Sequence, residues 1–166
     1  MIDLDRMIPA LERSGVRFLI VGGVAAVLHG SARLTQALDI VYDRDPENVR
    51  RLVRALAPHA PRLRGAPPGL PFRLDERTVL AGLNFTQTTA LGDLDLLGEV
   101  AGGGAYADLL PRSDEVDLSG LRVRCVDLST LIALKRAAGR PRDLDALAEV
   151  EALREEREGP PGPATR

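Results

Sequence analysis

Cysteine is nearly missing from this chain of 166 residues: Cys125 stands alone, so no internal disulfide can brace the fold, and a cystine-stapled scaffold is excluded. Aromatic residues are scarce as well, at 3% with no tryptophan, which argues against the stacking platforms that hold single-stranded nucleic acid. The longest apolar run, residues 18–28, is too short to cross a bilayer and is broken by Gly22-Gly23. A formal net charge of −2 and a pI near 5.7 leave no global basic field, so any nucleic-acid contact has to come from a local patch. The opening MIDLDRMIPAL lacks the basic-then-apolar order of a secretory signal, and a cytoplasmic protein is the expectation. Lysine is as scarce as cysteine. Of 22 basic residues only Lys135 is lysine, which singles it out as a place where a compact ammonium, and not a planar guanidinium, is used; chance is the plain alternative.

What is present is enough for one core. A hydrophobic content of 45% over this length fits a single domain, expected over residues 1–157, with "GPPGPATR" at the end of a disordered tail, 158–166. Apolar residues at helical spacing (Leu4, Met7, Ile8, Leu11) predict a first helix over 2–14. A buried strand over 16–21, a helix over 24–28 and a strand over 38–42 follow, and Asp45-Pro46-Glu47 opens another helix. Residues 58–72, "PHAPRLRGAPPGLPF", read as a mobile loop near any cleft. Strands are expected at 83–88 and 91–97, a turn at 102–104, a short helix at 105–110, and a hairpin about Ser119-Gly120. Helices at 129–138 and from Asp143 to about Arg157 close the chain. The order predicts an α/β (α+β) fold, a mixed sheet flanked by helices.

The candidate chemistry begins at "VGGVAAVLHGSARLTQALDIVY", residues 21–42. Two glycines at the end of a buried strand let a ligand approach the backbone, and helix-start amides suit a phosphate; a plain tight turn explains the pair equally well. The spacing is not that of a dinucleotide fingerprint, because Gly-Gly-Val-Ala-Ala-Val occupies 22–27. On the next strand, side chains at 37 and 39 share a face, so acids at both would aim at one ion, yet position 37 is alanine and only Asp39 can ligate. In "LGDLDLLGEV", Asp93 and Asp95 alternate with leucines and face one side together. A solvated polar face accounts for Asp93, whereas Asp95, deeper in apolar sequence, calls for a metal or a basic partner. With Asp39, these acids are the candidate ligands for magnesium, in a site of the kind that holds two ions.

The run "FLIVGGVAAVLHGSARLTQALDIVYDRDPEN" resembles the opening of nucleotidyltransferase-like proteins of the polymerase-β superfamily, and most closely the toxin-type bacterial nucleotidyltransferases of abortive-infection and toxin–antitoxin systems. The pattern there is a glycine pair, a spacer, Asp-x-Asp or Asp-x-Glu, and a later acid between apolar residues. Here Gly22-Gly23, Ala37-Leu38-Asp39 and Leu94-Asp95-Leu96 correspond to it, and "LSTLIALKRAAGRPRDLDAL" resembles the closing helices, whose lysine and aspartate map onto Lys135 and Asp143. The resemblance implies the nucleotidyltransferase fold, Mg2+, a nucleoside triphosphate, and transfer of a nucleotidyl group to an acceptor hydroxyl. RNA as acceptor and an antitoxin protein as partner are the finer expectations. It makes Asp39, Asp95 and Lys135 the catalytic candidates. Asp39, Asp95 and Asp93 would hold metal, and Gly22, Gly23, Arg33, Lys135 and Asp143 would meet the nucleotide. Ala37 departs from the pattern and leaves open a non-catalytic nucleotide- or partner-binding module with a decayed site. Blander roles are carried forward beside these: a helix-end role for His29, solvent for Arg33, snorkelling for Lys135 and an N-cap for Asp143. Arg136, Arg140 and Arg142 form the one local basic cluster, the place to look for a nucleic acid.

Overall fold

The computed structural model describes residues 1–159; Glu158 ends the last helix, and the expected tail beyond Gly159 lies outside the described residues. Asp3 caps the first helix, α1 (Leu4–Arg13), by accepting from the Arg6 amide, and Met7, Ile8 and Leu11 form its buried stripe. β1 (Phe18–Val21) is buried at four successive positions, which requires cover on both faces of the sheet. α2 (Gly22–Leu28) starts at the glycine pair itself, two residues before the expected helix, and β2 (Ala37–Tyr42) follows. Asp45 caps α3 (Pro46–Leu56), with Pro46 at the first helical position, where its missing N–H costs nothing.

The stretch expected to be a loop is one over most of its length, with two additions in and after it. After a 3₁₀ turn at Ala57–His59 it contains β3 (Arg62–Leu63), and Asp75 then caps a helix not foreseen, α4 (Glu76–Ala81). A two-residue strand has no period to detect; its pairing with β4 (Asn84–Thr89) is what orders it. β5 (Gly92–Leu97) comes next. The glycines expected to make only a turn join β6 (Glu99–Val100) to β7 (Gly104–Ala105) in a small separate sheet. α5 (Tyr106–Leu109) leads to the hairpin of β8 (Ser113–Leu118) and β9 (Leu121–Val126), whose turn residues Ser119 and Gly120 both have positive φ, 53° and 85°. α6 (Leu128–Ala138), capped by Asp127 and ended by left-handed Gly139, and α7 (Pro141–Glu158) complete the order.

Seven strands form one mixed sheet in the order β3-β4-β5-β2-β1-β9-β8. β1 is antiparallel to β2 and parallel to β9, and β2 is parallel to β5. α1 packs on α3, while α2 packs on β1, β2, β9 and α6, and α6 on α7. Period-two alternation divides the strands at the middle of the sheet. Leu38, Ile40, Leu94 and Leu96 are fully buried, each contributing roughly 1.5–3 kcal/mol, and Ala37, Asp39, Asp93 and Asp95 take the other face. No helix among the described residues is long and apolar enough to cross a membrane.

Candidate active site

The acids are brought together by strand register. β2 and β5 run side by side with Ala37 opposite Asp93 and Asp39 opposite Asp95, so four positions form a square on one face, and three of them are carboxylates. The antiparallel partner β1 ends at Val21, opposite Asp39, and the chain turns there into α2. Gly22 has a φ of +68°, and a Cβ on it would strike the Asp39 carboxylate; a Cβ on Gly23 would lie 2.7 Å from the Thr35 hydroxyl. The glycine pair is therefore required by close approach of side chains from β2 and the loop before it, as well as by the turn.

Burial raises the Asp39 pKa from its ordinary value to about 7, the negative charge of Asp95 and a hydrogen bond shared with it add to the rise, and the Gly23 amide and the Arg142 charge oppose it. Asp39 therefore holds its proton more tightly than an ordinary aspartate. Asp95 is the more enclosed of the β5 acids, its side chain 16% exposed against 35% for Asp93. Both pair with Arg64, which follows β3: Nε lies 3.1 Å from Asp93 Oδ2, and Nη2 donates to Asp95 Oδ1 at 2.6 Å and to the Gln87 carbonyl at 3.0 Å. The Thr88 hydroxyl donates to the other oxygen of Asp93 at 2.9 Å.

The opposite wall comes from α6 and α7. Lys135 is buried, and that burial lowers its pKa against the pull of Asp143 and Asp39. Its ammonium makes no hydrogen bond or ion pair among the described residues. Asp143 is not the N-cap of α7; Arg140 holds that position, and Asp143 sits two residues inside the helix, accepting from Arg140 Nε at 2.6 Å. Arg33 lies on the cavity wall and is fastened to α7, donating to Glu149 Oε2 at 2.9 Å and to the Asp145 carbonyl at 2.7 Å. His29 ends α2 away from the cavity, with Nε2 2.8 Å from the Val126 carbonyl and Nδ1 3.1 Å from Arg157 Nη1, a structural role.

These walls enclose a cavity of about 500 Å³ that Gly22, Gly23, Arg33, Asp39, Asp93, Asp95, Lys135 and Asp143 all line, together with Arg64, Arg140 and Arg142. A second cavity, about 220 Å³, meets it at Asp39, Asp95 and Lys135 and continues past Asn84 and Glu99 to an apolar end at Val100, Leu131 and Leu134. The carboxyl pair thus stands where a polar, arginine-lined chamber joins a smaller, partly apolar one.

No family model and no curated protein matches the chain. Solved structures do. The lincosamide antibiotic adenylyltransferase LnuA, bound to lincomycin, superposes with a TM-score of 0.60 at 12% identity, over 90% of this chain and 95% of that one. The antibiotic-resistance factor ANT(2'')-Ia gives 0.57 at 15% identity for its solution structure, over 94% and 82% of the two chains. Its complex with adenylyl-2''-tobramycin gives 0.56 at 15%, over 94% and 97%. The chain has the nucleotidyltransferase fold.

Within the nucleotidyltransferase fold, the donor set can be tested against magnesium. Mg2+ is commonly held by one or two carboxylates with phosphate oxygens and water completing its shell, and Asp39 with Asp95, opposite one another on adjacent strands and both lining the cavity, fits that description. A cage for two ions does not fit: position 37 offers no oxygen, and among the described residues no group of three or more His, Cys, Asp or Glu side chains converges to hold an ion. Arg64 is the residue that sequence reasoning missed. Its one signal is the Arg62-Leu63-Arg64 alternation, in which the two arginines share a face, hidden in a proline- and glycine-rich stretch.

Proposed function

We propose that this chain transfers a nucleotidyl group from a nucleoside triphosphate to the hydroxyl of an acceptor. The observation that carries the reading is the Asp39–Asp95 pair on adjacent parallel strands, against the Gly22 turn, at the junction of two chambers of different chemistry. The larger chamber suits a triphosphate: Lys135 and Arg142 bring positive charge, and the backbone at Gly22-Gly23 leaves room for a phosphate to come close. Magnesium held by Asp39 and Asp95 would neutralise the phosphates and polarise the one that reacts. The acceptor oxygen forms the new bond to the α-phosphorus, the bond to the β-phosphate's bridging oxygen breaks, pyrophosphate leaves with that electron pair, and the hydroxyl proton is lost to solvent. Lys135, between the two chambers, is positioned to offset charge that builds on the phosphates during this exchange.

The size and partly apolar lining of the second chamber favour a small hydroxyl-bearing acceptor, the class to which the lincomycin and tobramycin named for the two similar proteins belong. An RNA acceptor, as in a toxin-type enzyme regulated by an antitoxin, has less support. In the basic cluster Arg136 is paired with Glu151 and Arg140 with Asp143, which leaves Arg142 as the member without an ion pair among the described residues. Ala37 favours a second reading, a nucleotide-binding module without turnover. The test is a transfer assay with labelled nucleoside triphosphates and magnesium, run against a panel of small polyhydroxyl compounds and total RNA. Label on a small acceptor, lost in Asp39→Asn, is the expected result; label on RNA alone moves the reading to the toxin type. Magnesium-dependent binding without any transfer, restored by Ala37→Asp, supports the binding module.

A further inference from the structure

Arg64 and Ala37 belong to one arrangement. In the square formed by β2 and β5, Ala37 leaves a vacant corner directly across from Asp93, and the guanidinium of Arg64 rests on Asp93 and on Asp95, the next acid along the strand. It reaches them from just past the end of β3, two strands away from β5, and the Gln87 carbonyl of β4 fixes it on the way. Its side chain is one-third exposed and faces the 500 Å³ cavity. Of its five N–H groups, both on Nη2 are used, by Asp95 and Gln87, and Nε points at Asp93 without an aligned hydrogen bond. Nη1 donates to nothing among the described residues. A cation is thus anchored by its back edge to two carboxylates and presents a free edge to the chamber.

Resting on the nucleotide reading above, we propose that Arg64 is a built-in cation of that site. It occupies the charge role that a second divalent ion would fill if position 37 were acidic, and its Nη1 edge binds a phosphate of the triphosphate. The chemistry follows from what the face requires. Three carboxylates close together repel a polyphosphate unless cations intervene, and one exchangeable ion on Asp39 and Asp95 leaves Asp93 uncompensated. A guanidinium offers the missing charge with fixed geometry and planar donors suited to phosphate oxygens, and it cannot be removed by a chelator. The alanine at position 37 is then matched by Arg64, so that the site needs one metal ion.

The test counts ions. Manganese as the probe ion, followed by electron paramagnetic resonance, is titrated into the full chain with a non-hydrolysable α,β-methylene nucleoside triphosphate, and analogue affinity is measured in parallel by calorimetry. Wild type takes one manganese ion per bound analogue. Arg64→Ala, with its fold checked by circular dichroism, weakens analogue binding about tenfold or more, the effect of losing a charge-assisted contact, and Arg64→Lys recovers part of it. The double variant Ala37→Asp/Arg64→Ala takes two ions. Two ions bound by wild type, or analogue affinity unchanged or increased in Arg64→Ala, overturns the inference and leaves the nucleotide reading standing. No analogue bound by folded wild type overturns both. The wild-type count needs no variant, so misfolding of Arg64→Ala does not protect the proposal.

Discussion

The two faces of the β2–β5 strand pair differ by one residue of register and by nearly everything else. On one, Leu38, Ile40, Leu94 and Leu96 are wholly buried hydrocarbon; on the other, Asp39, Asp93 and Asp95 crowd together beside an alanine. The first face gains free energy on folding and the second costs it, since burial and the charge of Asp95 raise the Asp39 pKa to about 7. The buried Leu38, Ile40, Leu94 and Leu96 hold the acids in place. A close approach of like charges persists because the reverse side of the same two strands over-determines their position.

Substitutions should separate the faces cleanly. The largest effect is expected for Asp95→Asn and Asp39→Asn in the transfer assay, a loss of about a thousandfold or more, equivalent to roughly 4 kcal/mol of transition-state stabilisation, with the fold retained. Loss of cooperative unfolding in either variant would mean the acids serve the structure. Next, Ile40→Ala or Leu94→Ala should lower stability by about 2–5 kcal/mol in urea titration, because each leaves a cavity in a fully buried position. A cost under 1 kcal/mol would break the contrast from the other side.

The pH dependence sharpens it further. Between about pH 4 and pH 7 the folded chain keeps a proton on Asp39 that the unfolded chain has released. More protons are bound folded than unfolded, so this group's contribution to stability falls as pH rises through that window and levels off above it, by on the order of a few kcal/mol in all. Asp39→Asn should remove that slope and leave the ligand-free protein more stable than wild type at pH 8. Parallel stability curves for the two proteins would contradict the assignment. The smallest effect concerns the rim. Arg33→Ala, which breaks an exposed pair with Glu149, should cost about 1 kcal/mol or less in thermal unfolding. A larger cost there would make the strut between the pre-β2 loop and α7 part of the core.

Much of this contrast is legible in the sequence. The Leu-Asp-Leu alternation put Asp93 and Asp95 on one side, Gly22-Gly23 marked the turn, and the order of elements pointed to a mixed sheet with helices. Two kinds of fact were not legible. The register that sets Ala37 against Asp93 is a property of two strands more than fifty residues apart, and no local period encodes it. Arg64 was hidden because a strand of two residues has no pattern of its own and takes its order from β4. Of the two roles open to Asp143, the cap is the one the fold rules out, because Pro141 fixes the helix start and the cap position falls on Arg140, one residue before it.

If Asp39 and Asp95 form the cation-binding end of a nucleotide site, proton counting detects it. Magnesium with a non-hydrolysable nucleoside triphosphate is titrated into the protein at pH 6 by calorimetry, in two buffers of different ionisation heat. Binding should displace about one proton per chain in wild type, because the ion takes the place of the proton held by Asp39, and none in Asp39→Asn. Proton release that is absent in wild type, or equal in the two proteins, would contradict the account.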